Sequence, residues 1–98
     1  MREDDEDGVY AISVAAEMVS MQVQNLRVYE RRGLLEPFRT AGGTRRYSRA
    51  DLRRLVRIRD LLADGLNLAG IERVLALEDQ VARLRHENER MRRRPTSP

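Results

Sequence analysis

Arginine is the residue type in this chain best suited to chemistry, and that chemistry is the binding of anions. All 19 basic residues of the 98-residue chain are arginines, and eleven of them lie in residues 22–59. That segment holds only three acids, so its net charge is +8. Guanidinium groups bind phosphate oxygens through paired hydrogen bonds, so the segment predicts a polyanionic partner, most simply DNA. A solvated charged surface without a ligand is the alternative.

Residues for catalysis or metal binding are scarce. The chain has no cysteine and one histidine, His86, which lies in a charged stretch. We find no glycine loop before a helix and no carboxylate pair in an apolar setting. The sequence therefore argues against an enzyme, a metal site or a redox sensor, and we expect no cofactor. It has no apolar run of membrane-spanning length, so we expect a cytoplasmic protein associated with the nucleoid.

Two short helices are expected to position the arginines. We expect the first helix to begin after Ser13 as its N-cap, and the second to cover residues 23–32. Gly33 supplies the left-handed residue that ends the second helix. Two short helices joined by a three-residue turn are typical of a helix-turn-helix, whose second helix enters the major groove of DNA.

A small hairpin is predicted next. Residues 41–44 (AGGT) separate the extended segments 38–40 and 45–47, which is typical of a two-stranded wing. Ser48 and Asp51 have the spacing of a capping box and start a third helix, which ends near Gly65. We expect this helix to present Leu52, Leu55, Val56, Arg59 and Leu62 on one face. Asn67 is expected to cap the helix that follows.

Heptad spacing predicts a dimer at the C-terminal end. The a and d positions are occupied by Val74, Leu77, Val81, Leu84, Asn88 and Met91. Burying each aliphatic side chain contributes roughly 1.5–3 kcal/mol, so pairing with a second copy is favoured. Asn88 restricts the register of the pair at some cost in stability. A helix packed on its own domain is the alternative.

These elements predict a mainly α fold: a winged helix-turn-helix with a small two-stranded wing and a C-terminal coiled-coil dimerisation helix. We divide the chain into a disordered acidic tail (1–8), a DNA-binding domain (9–77), a dimerisation helix (78–94) and a disordered tail (95–98). Residues 3–7 (EDDED) are all acidic. This acidic segment either competes with DNA for the basic surface or is inert.

Three segments carry a family resemblance. Residues 25–37 (NLRVYERRGLLEP), 43–48 (GTRRYS) and 51–52 (DL) resemble the MerR family of transcriptional regulators. The resemblance implies a winged helix-turn-helix, a long helix that pairs antiparallel with its twin, and an inverted-repeat operator. Val28 departs from a position that is often aromatic, and Gln22-Val23 replaces a frequent Ser-Pro. No domain for a small-molecule effector follows the dimer helix.

A narrower resemblance concerns the regulated genes. Residues 12–18, 39–43 and 67–71 are similar to heat-shock repressors of the HspR group found in actinobacteria. This similarity implies repression of chaperone and protease operons, with the chaperone DnaK as co-repressor.

Within this picture the second helix reads bases. Gln24 and Asn25 lie near its N-terminal end, and their amides suit adenine. Arg27 and Arg31 lie one turn apart and suit guanine or phosphate; the alternative is an ion pair with Glu30 or a solvated surface. We expect Tyr29 to pack in the core, with its hydroxyl within reach of a phosphate. The phosphate contacts that position the protein are expected from Arg39, Arg45, Arg46 and Arg49.

The resulting hypothesis is a sequence-specific regulator of transcription, a repressor of heat-shock genes that binds DNA as a homodimer. A MerR-type activator that distorts promoter DNA is the first alternative. An excisionase-like protein that bends DNA is the second, although such proteins generally lack a dimer helix. A coiled-coil adaptor without a nucleic-acid ligand is the third, and it leaves the arginines of the wing unexplained.

Overall fold

The computed structural model describes residues 9–93, which form four α-helices and one antiparallel two-stranded sheet. The helices are α1 (Ile12–Met18), α2 (Val23–Arg31), α3 (Arg49–Ala63) and α4 (Leu68–Arg93), and the strands are β1 (Phe38–Arg39) and β2 (Arg45–Arg46). The mainly helical fold with a two-stranded wing is therefore confirmed. The predicted tails and Arg94 lie outside the described residues.

The chain divides into two compact units, one ending at Gly65 and the other beginning at Leu66. The functional division between residues 77 and 78 stays a prediction. In the first unit, α1 packs against α2. The side chains of the first unit's core are Ala15, Ala16, Val19, Leu26, Tyr29, Leu34, Leu35, Tyr47, Leu55, Ile58 and Leu61.

The buried face of α3 differs in part from the prediction. Leu55 is buried as expected, but Ile58 and Leu61 are buried with it and Leu62 is exposed. Positions spaced by three residues share a helix face, so these three side chains form one continuous row. Leu52 and Val56 instead line an apolar groove on the surface of this unit.

The prediction that Ser13 caps α1 is wrong. The helix begins at Ile12, its N-cap is Ala11, and no side chain caps it. The physical reason lies just upstream, where Tyr10 pairs with Tyr47 in an isolated antiparallel bridge. Because the chain is extended up to Ala11, the helix begins immediately after this bridge.

The other helix ends follow their local sequence signals. The Ser48 hydroxyl accepts a hydrogen bond from the Asp51 N–H at 3.0 Å, and the Asp51 carboxylate accepts one from the Ser48 N–H at 2.9 Å. The capping box that starts α3 is thus confirmed. The side-chain oxygen of Asn67 accepts the Gly70 N–H at 2.8 Å and caps α4.

The second unit is built on one continuous helix of 26 residues, α4. Ile71 and Leu75 near its start are buried. The predicted apolar stripe beyond them is open to solvent: Leu77 is 60% exposed, Val81 45%, Leu84 55% and Met91 66%. Val74, Leu77 and Val81 line a shallow apolar groove along the helix.

Candidate nucleic-acid interface

The exposed face of α2 carries the side chains expected to read bases. Gln24, Arg27 and Arg31 follow the spacing i, i+3, i+7, which places them on one side of the helix. All three are exposed, and Asn25 is exposed beside them. Helices of this length depend on packing, and the opposite face of α2 is anchored by buried core residues. The structure thus brings these four side chains together on a surface held rigid from behind.

Tyr29 belongs to that buried side. Its side chain is only 4% exposed, and burial raises the pKa of its phenol above the ordinary value. The expectation that it packs in the core agrees with this position. A contact from its hydroxyl to phosphate stays a prediction.

Glu30 joins the wing to α2. Its carboxylate accepts hydrogen bonds from the Arg39 guanidinium at 2.5 Å and from Nε of Arg45. Both strands of the wing are therefore tied to the helix through one largely buried carboxylate. The alternative partner considered for Arg27 and Arg31 is thus engaged elsewhere, and within residues 9–93 neither arginine has an ion pair.

The role of Glu30 was missed from the sequence. Its neighbours in the chain suggest a local pair with an arginine of its own helix. Its actual partners are nine and fifteen residues away and reach it only after the hairpin has folded back. The surplus of arginine around a single acid was the available signal.

The wing is a tight hairpin. Phe38 pairs with Arg46 and Arg39 with Arg45, as expected from the turn between them. The Thr40 N–H donates to the Thr44 carbonyl at 2.9 Å, and Gly43 has a φ of +85°. A left-handed residue at this point favours glycine, which explains the Gly-Gly centre of the turn. Arg39 is exposed, whereas Arg45 and Arg46 are half-buried.

Tyr47 anchors the base of the wing. Its N–H donates to the Tyr10 carbonyl at 2.7 Å, and its carbonyl accepts the N–H groups of Val9 and Tyr10. The ring is fully buried, and the hydroxyl has no hydrogen-bond partner. Burial, followed by the nearby Glu30 carboxylate, raises the pKa of this phenol above its ordinary value.

Two arginines of α3 brace the helix-turn-helix. Nε of Arg54 donates to the Leu34 carbonyl at 3.1 Å, just after α2. The Arg59 guanidinium donates to the Val19 carbonyl at 2.9 Å, at the end of α1. These side chains satisfy carbonyls at helix ends and fix the two helices against α3. Arg49, at the start of α3, remains exposed with no ion pair within residues 9–93.

Two other kinds of site were sought over the described part of the chain. No three His, Asp or Glu side chains in residues 9–93 lie close enough together to hold a metal ion. The helices of the same residues are too short or too polar to cross a membrane.

The order of elements and motifs matches a known protein family. A model described as the MerR HTH family of regulatory proteins covers residues 10–78, more than two thirds of the chain. The chain belongs to the MerR HTH family. Members of the family are regulatory proteins and not enzymes, in agreement with the sequence analysis.

Among MerR relatives, the heat shock protein HspR of Streptomyces coelicolor is 52% identical over 77 residues, 78% of this chain and 51% of that protein. The transcriptional regulator GlnR of Bacillus anthracis is 35% identical over 71 residues, 72% of this chain and 55% of that protein. The chain thus spans about half the length of these curated relatives. Its similarity to HspR confirms the narrower resemblance.

Solved structures of MerR proteins share the fold. The regulator PbrR691 of Ralstonia metallidurans, solved with lead(II), has a TM-score of 0.69 and 29% identity over 86% of this chain and 78% of that one. HiNmlR, a MerR regulator lacking the sensor domain and solved on promoter DNA, has a TM-score of 0.61 and 25% identity over 86% of this chain and 76% of that one.

Proposed function

We propose that this MerR-family chain is a sequence-specific repressor that binds double-stranded DNA as a homodimer on inverted-repeat operators. The observation that carries the proposal is the exposed face of α2, with Gln24, Arg27 and Arg31 in line and no acid competing for the arginines. An α-helix fits the major groove, where amide and guanidinium groups distinguish base edges. HiNmlR, which has the same fold, was solved on promoter DNA.

The wing supplies the phosphate contacts in this proposal. Arg39 and Arg45 are held by Glu30 and need little reordering to meet a backbone, and Arg46 and Arg49 lie beside them in the chain. Such contacts fix the position of the protein and carry no sequence information. Gln24 and Asn25 then read bases, with Arg27 and Arg31 on guanine or phosphate.

The dimer supplies the second half-site. One helix reads only a few base pairs, so specificity needs two reading helices at a fixed spacing. The exposed stripe from Val74 to Met91 is the surface we assign to the second copy, with Asn88 restricting its register. The family resemblance implies that the two helices pair antiparallel.

We further propose that the regulated genes encode chaperones and proteases of the heat-shock response. The identity of 52% to HspR supports this assignment. By the same resemblance, the chaperone DnaK is proposed as co-repressor. The protein then acts in the cytoplasm, where its operators and this partner are found.

The test is binding to a duplex selected from a random pool, followed by fluorescence anisotropy across a salt series. We expect a steep loss of affinity between 50 and 200 mM salt, on the order of 10³-fold for six or more phosphate contacts. Arg27→Gln should weaken binding by 1–3 kcal/mol, about five- to 150-fold, and relax selectivity. Arg83→Gln removes the same charge from an exposed position of α4 and should have little effect. A flat salt response, or equal effects of the two variants, would refute the interface.

The sign of regulation needs its own measurement. In a purified transcription system with the selected operator placed over a promoter, added protein should lower the amount of transcript. A rise in transcript would instead identify an activator that distorts promoter DNA.

A further inference from the structure

The chain enters the fold at the base of the wing. The N–H groups of Val9 and Tyr10 donate to the Tyr47 carbonyl at 3.0 and 2.9 Å. Because Tyr10 and Tyr47 pair antiparallel, the chain before Tyr10 is directed along Ser48 towards the first turn of α3. The acidic segment, residues 3–7, is therefore attached at the edge of the candidate DNA interface.

The surface at this point is basic. Arg46 directly precedes Tyr47, and Arg49 is the first residue of α3. The charge of Arg27 acts on the Tyr47 phenol and lowers its pKa, which places this arginine in the same neighbourhood. We call Arg27, Arg46 and Arg49 the wing-base surface; within residues 9–93 none of the three has an ion pair. This surface lacks the anions that its charge favours.

The acidic segment can reach this surface. An extended chain spans about 3.3–3.6 Å per residue, so Asp7 lies within about 7 Å of Val9 and Glu3 within about 21 Å. Successive phosphates along one DNA strand are about 3.4 Å apart on the helix axis. Five consecutive carboxylates therefore offer a spacing of charge close to that of a single DNA strand.

We propose that residues 3–7 dock on the wing-base surface of the DNA-free protein as a stand-in for phosphates, and that a duplex must displace them. This inference rests on the proposed function. Displacement lowers the affinity for every duplex by the same factor, because the segment competes for phosphate-binding arginines and not for base edges. The acidic segment thus sets how much protein is held on DNA of unrelated sequence.

The test compares the full chain with a variant in which residues 3–7 are neutralised (E3Q, D4N, D5N, E6Q and D7N). We expect the variant to bind a random-sequence duplex on the order of tenfold more tightly at low salt, since a tethered anion competes at millimolar effective concentration. The difference should shrink at high salt. Equal affinities at low salt would overturn the proposal.

A matched control separates docking from a general effect of net charge. In this control the five acidic residues are moved to follow Pro98, which keeps the charge of the chain unchanged. We expect the control to bind as tightly as the neutralised variant. Binding as weak as that of the unaltered chain would show that net charge alone acts, and would overturn docking.

Amide chemical shifts of the DNA-free protein give a readout that does not depend on DNA binding. Neutralisation should shift the Arg46 and Arg49 signals and leave that of Arg83 in place. Unchanged shifts at Arg46 and Arg49 would refute docking even if the protein is a repressor. Conversely, failure of every variant to bind any duplex would refute the proposed function while these shifts still decide the contact.

Discussion

A single tyrosine at the base of the wing combines full burial with an unpaired hydroxyl. A buried hydroxyl without a partner loses its hydrogen bonds to water and costs about 1–3 kcal/mol. The ring of Tyr47 is nevertheless required to fill the space between the wing and the first unit's core. Its ring and its hydroxyl therefore have opposite effects on stability.

We expect Tyr47→Phe to keep or raise the free energy of unfolding at neutral pH, by up to about 1 kcal/mol. The pKa of Tyr47 is raised in the folded state, so above pH 10 the unfolded chain loses this proton first and stability falls as the pH rises. The variant should lose less stability than the parent above pH 10, measured by urea unfolding at several pH values. A loss above 1 kcal/mol at neutral pH would show that the hydroxyl has a partner.

The turn of the helix-turn-helix contains a strained residue. Ser20 has a φ of +58°, and α1 ends with bonds from Ser20 N–H to Glu17 and from Met21 N–H to Ala16. The end of α2 has the same pattern, but the left-handed position is Gly33, with a φ of +81°. This Schellman ending prefers glycine, because a side chain in the left-handed region costs about 1 kcal/mol.

Ser20→Gly should therefore stabilise the protein, by about 0.5 kcal/mol after the added entropy of the unfolded chain is subtracted. The reciprocal change, Gly33→Ser, should destabilise it by about 1 kcal/mol. Midpoints of urea unfolding measure both effects. If the two variants lose stability equally, strain at Ser20 is not the cause.

At the scale of elements, the wing is held to the reading helix by one carboxylate. Glu30→Gln removes both ion pairs and should lower the free energy of unfolding by about 1 kcal/mol, a modest value because both arginines are partly exposed. We also expect faster amide hydrogen exchange in the hairpin, at residues 38–46. Glu36→Gln makes the same charge change at an exposed residue without a described partner and should alter neither quantity. Unchanged exchange in Glu30→Gln would show that backbone bonds alone hold the wing.

The elements also show which features could be read from the sequence. The capping box at Ser48, the stop at Gly33 and the Gly-Gly hairpin were predictable because each depends on residues within a few positions. The start of α1 was not, because the bridge from Tyr10 to Tyr47 sets it from a distance. For the same reason Arg59 was assigned to an apolar face, although it donates to a carbonyl 40 residues away.

At the scale of the whole molecule, function requires two copies. Leu84→Arg places a charge in the proposed dimer seam and should give a folded monomer, because this side chain is exposed within its own chain. Binding to a two-site operator should fall on the order of 100-fold when the second half-site is no longer tethered. Sedimentation and anisotropy measure the two effects. His86→Arg adds a charge at an exposed position outside the seam and should remain dimeric; a dimeric Leu84→Arg would contradict the model.

The candidate site as a whole was predictable in composition and less so in arrangement. Exposed arginines and amides on α2 follow from helical spacing, which is a property of the sequence. Which arginines are engaged depends on the tertiary fold: Arg39 and Arg45 are paired, Arg54 and Arg59 donate to carbonyls, and no local pattern distinguishes them from Arg27.

The bridge between Tyr10 and Tyr47 has a practical consequence for handling the protein. Any peptide fused in front of Val9 leaves the fold beside the wing, so an affinity tag there would crowd an incoming duplex, and a polyhistidine tag would change the charge. A tag added after the C-terminal residue is remote in sequence from the wing and avoids this artefact. Binding constants from N-terminally tagged preparations would describe the tag as well as the protein.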